Sequence, residues 1–366
     1  MLGILSFTTE VSLWTLTAIA FIALLVFWNK FTGRNLRKIL ARIAILILIQ
    51  VLAFSAVGVT LNRNNQFYDT WGDFLGFKKN LAKVATQIDS LNSISSVDIK
   101  NAKRTPNGSL IFSKIITGKY SKISDHVFVV LSPKLASQIE SPNHILGSNY
   151  QVVEMFPGYP GVPETWIGAL HGIETMELME IAGQIPPTIA IIPAINVMPG
   201  LDTECLNIPG SAQVETWLTK DMQLFAQKFI GIDSRKWSTF GYSTGGWCAA
   251  QISIRHQDQY SKAISISGYF SPSFAAGINK RERRVLTAEY DLVKLLNSQD
   301  NSLELLIIYA KSDRSSVASM NSFTSKIGNS LNYKTVEILS GGHNIKVWRP
   351  YVRIGFQWLA NGQTPL

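Results

Sequence analysis

Cysteine, histidine and charged side chains are all scarce in this sequence. Its 366 residues include two cysteines and five histidines, and only 16% of them are charged. No cluster of His, Cys and Asp has the spacing of metal ligands, so the sequence implies neither a metal site nor an organic cofactor. Internal repeats and low-complexity tracts are also absent, and the length fits one large domain plus an attachment.

A concentrated block of positive charge is missing as well, although the net charge is +9. The first 80 residues carry eight basic and three acidic side chains, and the remaining residues carry 26 basic and 22 acidic ones. The excess therefore does not form a basic patch of the kind that binds nucleic acid. We expect no nucleic-acid partner.

What the sequence has instead is two long apolar runs near its start. Val11–Trp28 is 18 residues long without a charge, and Ile43–Leu61 is 19 residues long. Both approach the ~20 residues that a helix needs to span a bilayer. A signal peptide is the alternative for the first run, but no Lys or Arg precedes it and it exceeds the usual apolar core of about 7–15 residues. We therefore predict a two-helix transmembrane anchor over residues 1–63.

The loop between the two runs predicts the orientation of the anchor. It carries five basic and no acidic side chains, at Lys30, Arg34, Arg37, Lys38 and Arg42. Short loops rich in Lys and Arg stay in the cytoplasm. We expect a multi-pass protein of the cell membrane, with everything after about Leu61 outside the cytoplasm.

Beyond the anchor the pattern first turns polar and then alternates between strands and helices. Residues 64–107 are interpreted as a juxtamembrane connector and residues 108–362 as one folded domain. Its predicted strands are Ser109–Thr117, Val127–Ser132, Gln151–Phe156, Ile189–Ile195, Lys236–Phe240, Lys262–Ser267, Leu303–Ala310 and Lys334–Leu339. Its predicted helices are Glu164–Ile181, Gln213–Phe229, Gly245–Arg255, Ala288–Leu296, Ser316–Leu331 and Val347–Leu359. This alternation predicts a mostly parallel sheet with helices on both faces and an antiparallel leading pair, which is an α/β-hydrolase fold.

The segment from Gly241 to Gly245, Gly-Tyr-Ser-Thr-Gly, fits the pattern of a nucleophile elbow. In that strand-to-helix turn a strained serine exposes its hydroxyl, and glycines are needed because side chains would collide with the neighbouring strand and helix. Ser243 would also begin a helix, whose dipole favours a developing anion. The alternative is a glycine-rich turn with an ordinary serine.

A serine hydroxyl becomes a good nucleophile only when a base takes its proton. In the chain order nucleophile, acid, histidine, three histidines come too early, and His256 would lie roughly 20 Å from Ser243 along a helix. His343 follows the pair Gly341-Gly342 after the last predicted strand. A flexible glycine pair at the carboxyl edge of a sheet suits a general base, so His343 is the predicted one.

The acid is expected after the penultimate strand, where Asp313 follows Leu303–Ala310. It would hold the tautomer of His343 and stabilise the imidazolium. Asp291 and Asp300 are weaker candidates, and a surface turn is the alternative role for Asp313.

An oxyanion hole requires two N–H donors. One is the backbone N–H of Thr244, the residue after the nucleophile. The other is expected in the loop Phe156–Gly161, whose two prolines have no N–H. Tyr159 is the candidate there and Gly161 is the alternative.

These motifs resemble the esterase-D-like branch of the α/β-hydrolases, which also contains the actinobacterial mycolyltransferases. The resemblance implies a triad of Ser243, Asp313 and His343, and the apolar start is similar to that of membrane-anchored members. Many members have His-Gly where this chain has Pro157-Gly158. The likeness to mycolyltransferases is architectural and implies no mycolate substrate. The motifs that carry the resemblance lie within about Tyr150–Leu359 and are Phe156-Pro157-Gly158-Tyr159, Asp202-Thr203-Glu204-Cys205, Gly241–Cys248 and Ser340-Gly341-Gly342-His343.

The two cysteines, Cys205 and Cys248, lie in different segments of the domain. An even count outside the cytoplasm predicts a disulfide, which would tie a loop to the helix of the elbow. Two buried free thiols are the alternative.

The sequence thus predicts a membrane-anchored, extracytoplasmic serine esterase or acyltransferase. Its substrate would be an acyl ester, including that of a lipid or glycolipid, and the acceptor would be water or an alcohol such as a sugar hydroxyl. A catalytically inactive binding or scaffold protein of the cell surface on the same fold is the alternative.

Overall fold

The fold is described from a computed structural model of the chain. The structure describes residues 3–4, 6–28, 35–65, 71, 85–141, 146, 149–198, 200–232, 236–274 and 278–364. It divides into two compact units, Met1–Phe77 and Lys78–Leu366. Much of the predicted connector, and Lys30 and Arg34 of the basic loop, lie outside the described residues.

The first unit contains two apolar helices, Phe7–Phe27 and Leu36–Asn65. Both are long and apolar enough to cross a membrane. Polar groups near the start of the first helix meet the end of the second: Thr60 Oγ1 donates to Glu10 Oε1 at 2.8 Å, and Arg63 pairs with Glu10. The two helices therefore run antiparallel as a hairpin, as the sequence predicts.

The second unit is built on one ten-stranded sheet. Its strands are β1 Thr86–Gln87, β2 Lys103–Arg104, β3 Leu110–Thr117, β4 Ser124–Leu131, β5 Gln151–Phe156, β6 Thr188–Pro193, β7 Trp237–Tyr242, β8 Tyr260–Ile266, β9 Glu304–Ala310 and β10 Asn332–Ile338. Their order is β1-β3-β4-β6-β5-β7-β8-β9-β10, with β2 beside β3. The pairs β2–β3, β3–β4 and β4–β6 are antiparallel, and all others are parallel. The predicted mixed sheet with an antiparallel leading part is therefore confirmed.

Helices cover both faces of the sheet. One face packs against helices that include Met222–Ile230, Thr244–Arg255 and Arg314–Ile327, and the other against Gly172–Ile181 and Val352–Asn361. The strands between them are nearly continuous apolar runs, as expected for a parallel sheet buried on both faces. The remaining helices are Ser96–Asn101, Pro133–Ile139, Glu164–Ile167, Val214–Thr216, Lys280–Glu289, Leu292–Leu296 and Ile345–Trp348, with a π-helical turn at Trp217–Asp221 and 3₁₀ turns at Ile88–Ser90 and Arg349–Tyr351.

Two predicted helices are broken in the structure. Glu164–Ile181 is interrupted because His171 adopts a left-handed backbone with φ of 53°. Beside it, a Cβ on Gly172 would come within 2.7 Å of the Trp166 ring, so the break also allows close packing. The predicted helix Ala288–Leu296 is interrupted by Asp291, whose side chain accepts a hydrogen bond from Lys294 N at 3.0 Å and starts a new helix.

A charged residue type lies at the centre of the sheet, because Glu154 is fully buried in β5. Tyr260 donates its hydroxyl to Glu154 Oε2 at 2.7 Å, and Oε1 has no partner among the described residues. Burial raises the pKa of Glu154 to about 8, and the Tyr260 hydrogen bond only partly opposes this. The carboxyl is therefore protonated at neutral pH.

We expect Glu154→Gln to weaken the pH dependence of stability. The folded state keeps a proton on Glu154 between its unfolded pKa of 4.5 and its folded pKa of about 8. The contribution of Glu154 to the free energy of unfolding is fully present below pH 4.5. About 4 kcal/mol of it is lost as the pH rises to 8. Urea unfolding of detergent-solubilised protein at pH 5 and pH 8 measures the difference. The exposed Glu282→Gln is the matched control, and an equal pH slope in wild type and Glu154→Gln would contradict the assignment.

Candidate active site

The turn between β7 and the helix Thr244–Arg255 holds Ser243 in a strained backbone. Its φ of 56° and ψ of −125° lie in a region that residues with a side chain rarely adopt. The amide of Ser243 donates to Ile266 O at 2.9 Å, which fixes the turn to β8. Such strain persists only where the surroundings over-determine it, and it is typical of functional sites.

Glycines make this turn possible. A Cβ on Gly241 would lie 1.8 Å from Gly245 O, and a Cβ on Gly245 would lie 2.3 Å from the carbonyl oxygens of both Phe156 and Pro157. These neighbours are backbone atoms, which cannot rotate away. The predicted roles of both glycines in the elbow thus have a steric basis in the fold.

Three side chains from distant parts of the chain form a hydrogen-bonded line. Ser243 Oγ lies 2.8 Å from His343 Nε2, and His343 Nδ1 lies 2.6 Å from Asp313 Oδ2. Asp313 follows β9, and His343 lies in the loop after β10, so parallel strands deliver all three to the same edge of the sheet. The structure brings together the three residues that the sequence singles out, and their catalytic roles remain predictions.

The surroundings of Asp313 keep it ionised. Burial acts to raise its pKa, but hydrogen bonds from His343 and Ser316 outweigh burial and bring the pKa to about 2. Ser316 Oγ donates to Asp313 Oδ2 at 2.7 Å. A permanently charged carboxylate is what a neighbouring imidazolium requires.

Ser267 and Trp348 support this line, and the sequence did not predict either role. Trp348 packs edge-on against the His343 ring at 4.7 Å and donates its Nε1–H to Ser267 Oγ at 3.0 Å. Ser267 has a left-handed φ of 44°, and its carbonyl oxygen lies 2.9 Å from Ser316 Oγ. Ser267 therefore contacts both Ser316, which hydrogen-bonds Asp313, and Trp348, which packs against His343. No sequence motif marks Ser267.

Other histidines have partners elsewhere. His256 Nε2 lies 2.8 Å from Glu215 Oε1, and His171 Nδ1 lies 2.6 Å from Glu174 Oε2. His126 Nε2 lies 2.9 Å from Ser113 Oγ. His144 lies outside the described residues.

The loop after β5 packs directly on the elbow. A Cβ on Gly158 would lie 3.2 Å from Ser243 Cβ, so the loop passes beside Ser243. Asn196 Nδ2 holds the loop by donating to Gly158 O at 3.0 Å and also to Gly161 O. Tyr159 and Thr244, the two predicted oxyanion donors, both border the cavity that contains Ser243.

That cavity has a volume of about 440 Å³ and is bordered mainly by hydroxyl-bearing side chains. A second cavity of about 260 Å³ shares Ser271 and Ser319 with it. The described residues that border the first cavity are Tyr159, Asp202, Ser243, Thr244, Tyr269, Ser271, Ser273, Ser315, Ser316, Ser319 and His343.

The loop after β6 is fastened to the helix of the elbow. Cys205 and Cys248 form a disulfide in the structure. Trp247 Nε1 donates to Glu204 O at 2.9 Å, and Gln251 Nε2 donates to Cys205 O at 3.0 Å. Glu204 and Cys205 both have left-handed φ values, of 55° and 58°. The loop is therefore tied to the helix that follows Ser243, as the sequence predicted from the two cysteines.

Comparison with known proteins gives a distant sequence relative. No family model matches the chain. An uncharacterised protein of Corynebacterium glutamicum is 25% identical over 228 residues, which cover 57% of this chain and 52% of that protein. The chain thus spans about half the length of the curated relative that it matches.

Solved structures are similar in fold. An S-formylglutathione hydrolase from Agrobacterium tumefaciens has a TM-score of 0.56 and 15% identity, covering 73% of this chain and 98% of that one. The fluorophosphonate-binding serine hydrolase F of Staphylococcus aureus has a TM-score of 0.55 and 14% identity, covering 69% and 99%. MPT51 (FbpC1) of Mycobacterium tuberculosis has a TM-score of 0.51 and 14% identity, covering 67% and 96%. These neighbours agree with the resemblance that the motifs indicated and confirm the α/β-hydrolase fold.

Proposed function

Because the chain has the α/β-hydrolase fold and aligns a serine, a histidine and an acid beside an open cavity, we propose that it is a membrane-anchored serine esterase or acyltransferase. The observation that carries the proposal is the hydrogen-bonded line from Ser243 Oγ through His343 to Asp313. A binding or scaffold protein needs no such line. The strained backbone of Ser243 also favours the enzyme, because strain of this kind costs stability and clusters at active sites.

The proposed reaction begins when His343 Nε2 takes the proton of Ser243 Oγ and that oxygen attacks the ester carbonyl. The resulting oxyanion accepts hydrogen bonds from the backbone N–H groups of Thr244 and Tyr159. The bond to the alcohol then breaks, and the alcohol leaves with the proton from His343, while the acyl group stays on Ser243. Water or a second alcohol loses a proton to His343 and attacks the acyl-enzyme, which releases an acid or a new ester and restores Ser243.

Asp313 serves this cycle by electrostatics. Its pKa of about 2 keeps it negative at every physiological pH, so it stabilises the imidazolium formed in each half-reaction. Its bond to Nδ1 also leaves Nε2 as the acceptor that faces Ser243.

We further propose that the two apolar helices anchor the enzyme in the cell membrane with the hydrolase unit outside the cytoplasm. The second helix begins at Leu36 and carries Arg37 and Lys38 in its first turn and Arg42 in its second. A basic helix end of this kind stays in the cytoplasm. The disulfide between Cys205 and Cys248 is consistent with an oxidising exterior. An anchored hydrolase meets its substrates at the membrane surface, so the proposed substrate is an acyl ester of a lipid or glycolipid.

One labelling experiment tests both the activity and the orientation. We expect a membrane-permeant fluorophosphonate to label the protein in intact cells, because an activated serine reacts with such probes. A membrane-impermeant fluorophosphonate should label it equally. Ser243→Ala is the control and should take up neither probe.

The two possible failures separate the two proposals. Absence of labelling by the permeant probe would contradict the enzyme and favour the scaffold. Labelling by the permeant probe alone would contradict the orientation.

A further inference from the structure

An acidic side chain that the proposed reaction does not use borders the cavity beside Ser243. Asp202 is 2% exposed and lies at the cavity wall. Its Oδ1 accepts a hydrogen bond from Glu204 N at 3.2 Å. Among the described residues, this is the one hydrogen bond that Asp202 makes. The second carboxylate oxygen therefore has no hydrogen-bond partner among the described residues, and Asp202 borders the cavity.

The neighbouring acid, Glu204, differs because its oxygens are satisfied inside the protein. It accepts from Tyr269 Oη at 2.7 Å, from Phe274 N at 2.6 Å and from Ser273 N at 3.1 Å. Burial raises the pKa of both carboxyls, and the charge of Asp202 raises the pKa of Glu204 further. Of the two acids, Asp202 is the one that borders the cavity.

No cationic side chain among the described residues of the cavity wall balances the Asp202 carboxylate. The described residues that border the cavity include no Lys and no Arg, and the imidazole of His343 already faces Asp313. A buried charge without a counter-ion is unfavourable, whereas a ligand that brings the opposite charge turns it into a binding determinant. The other polar groups around the cavity are hydroxyls, which serve as hydrogen-bond partners but carry no charge.

We propose that Asp202 is a specificity-determining residue that binds an ammonium group of the substrate. The preferred substrates are then esters with a protonated amine close to the scissile carbonyl, as in an aminoacyl ester. A cation fits better than a hydroxyl because several side-chain hydroxyl groups already border the cavity. The group there that has no partner of opposite charge among the described lining residues is the carboxylate of Asp202. This inference rests on the proposed esterase activity and names the substrate class of the same site.

The test compares three acyl groups on one alcohol: alanyl, lactyl and propionyl, which share one carbon skeleton and carry NH₃⁺, OH and H on the same carbon. We expect wild-type kcat/KM for the alanyl ester to exceed that for the propionyl ester by roughly 10- to 100-fold, the range of one hydrogen bond to a charged group. Asp202→Asn should remove most of this preference, mainly through KM, so the ratio of kcat/KM between the alanyl and propionyl esters should fall toward one. The exposed Asp300→Asn, before β9, is the matched control and should keep the wild-type preference.

Inhibition of the wild-type enzyme gives a second measurement that does not depend on folding of a variant. Alaninamide should compete with the propionyl ester more strongly than lactamide or propionamide does. Equal use of the three esters, equal inhibition by the three amides, or an unchanged preference in Asp202→Asn would overturn the role of Asp202. If Ser243 takes up fluorophosphonate in those cases, the esterase proposal survives. If all three esters remain intact and Ser243 is also unlabelled, the proposed function itself has failed.

Discussion

Ser243→Ala is expected to lower the esterase kcat by roughly 10⁴- to 10⁶-fold, the loss seen when a catalytic triad loses its nucleophile. His343→Ala should cost about as much, because its Nε2 lies 2.8 Å from Ser243 Oγ and is the proposed base for both half-reactions. The double variant should be little worse than either single one, since groups that act as a unit are not additive. Turnover of a chromogenic ester by purified protein measures all three.

The matched control is His171→Ala, which removes a histidine that pairs with Glu174 away from the cavity. It should retain wild-type turnover. Residual activity of Ser243→Ala within tenfold of wild type would show that the nucleophile lies elsewhere.

Gly241→Ala and Gly245→Ala are each expected to destabilise the folded protein by on the order of 4 kcal/mol or more. A loss of this size is exceptional for a single substitution. The added methyl group would meet backbone atoms at 1.8 Å in the first case and 2.3 Å in the second. Relief requires a shift of β5 or of the elbow helix, which would also move Ser243 away from His343. Thermal unfolding and fluorophosphonate uptake should both report the damage.

Gly342→Ala provides the comparison for these two variants. A Cβ at Gly342 has no heavy atom within 4 Å. Its unfolding temperature should stay close to that of the wild type. A Gly241→Ala protein as stable as Gly342→Ala would contradict the steric account of the elbow.

The sequence predicted those parts of the site that follow from local pattern and strand order. Gly-x-Ser-x-Gly signals a turn that few other sequences form, and an acid and a histidine after the last two strands must reach the same sheet edge as Ser243. The strand Gln151–Phe156 was predicted with its observed ends, because a compact apolar run follows a polar loop. These features depend on spacing, which a single sequence displays.

The parts that escaped prediction depend on tertiary contacts. Left-handed backbone at His171, Glu204 and Ser267 is not marked by glycine or asparagine, so no local signal reveals it. Asp202 and Glu204 stand two residues apart, yet one is enclosed by donors and the other borders the cavity. Their different environments arise from the loop Tyr269–Phe274, which is remote in sequence.

The hydrogen bond between Ser243 and His343 joins residues that are 100 positions apart. A ribosome therefore completes the two apolar helices well before it reaches Ser243, and it reaches the base only after β10 has been made. Nascent chains fold domain by domain from their N-terminal side, and contacts of this separation form late. In the proposed anchored enzyme, a chain caught during synthesis is held in the membrane while Ser243 has no base, so the proposed ester chemistry begins only when translation has passed His343.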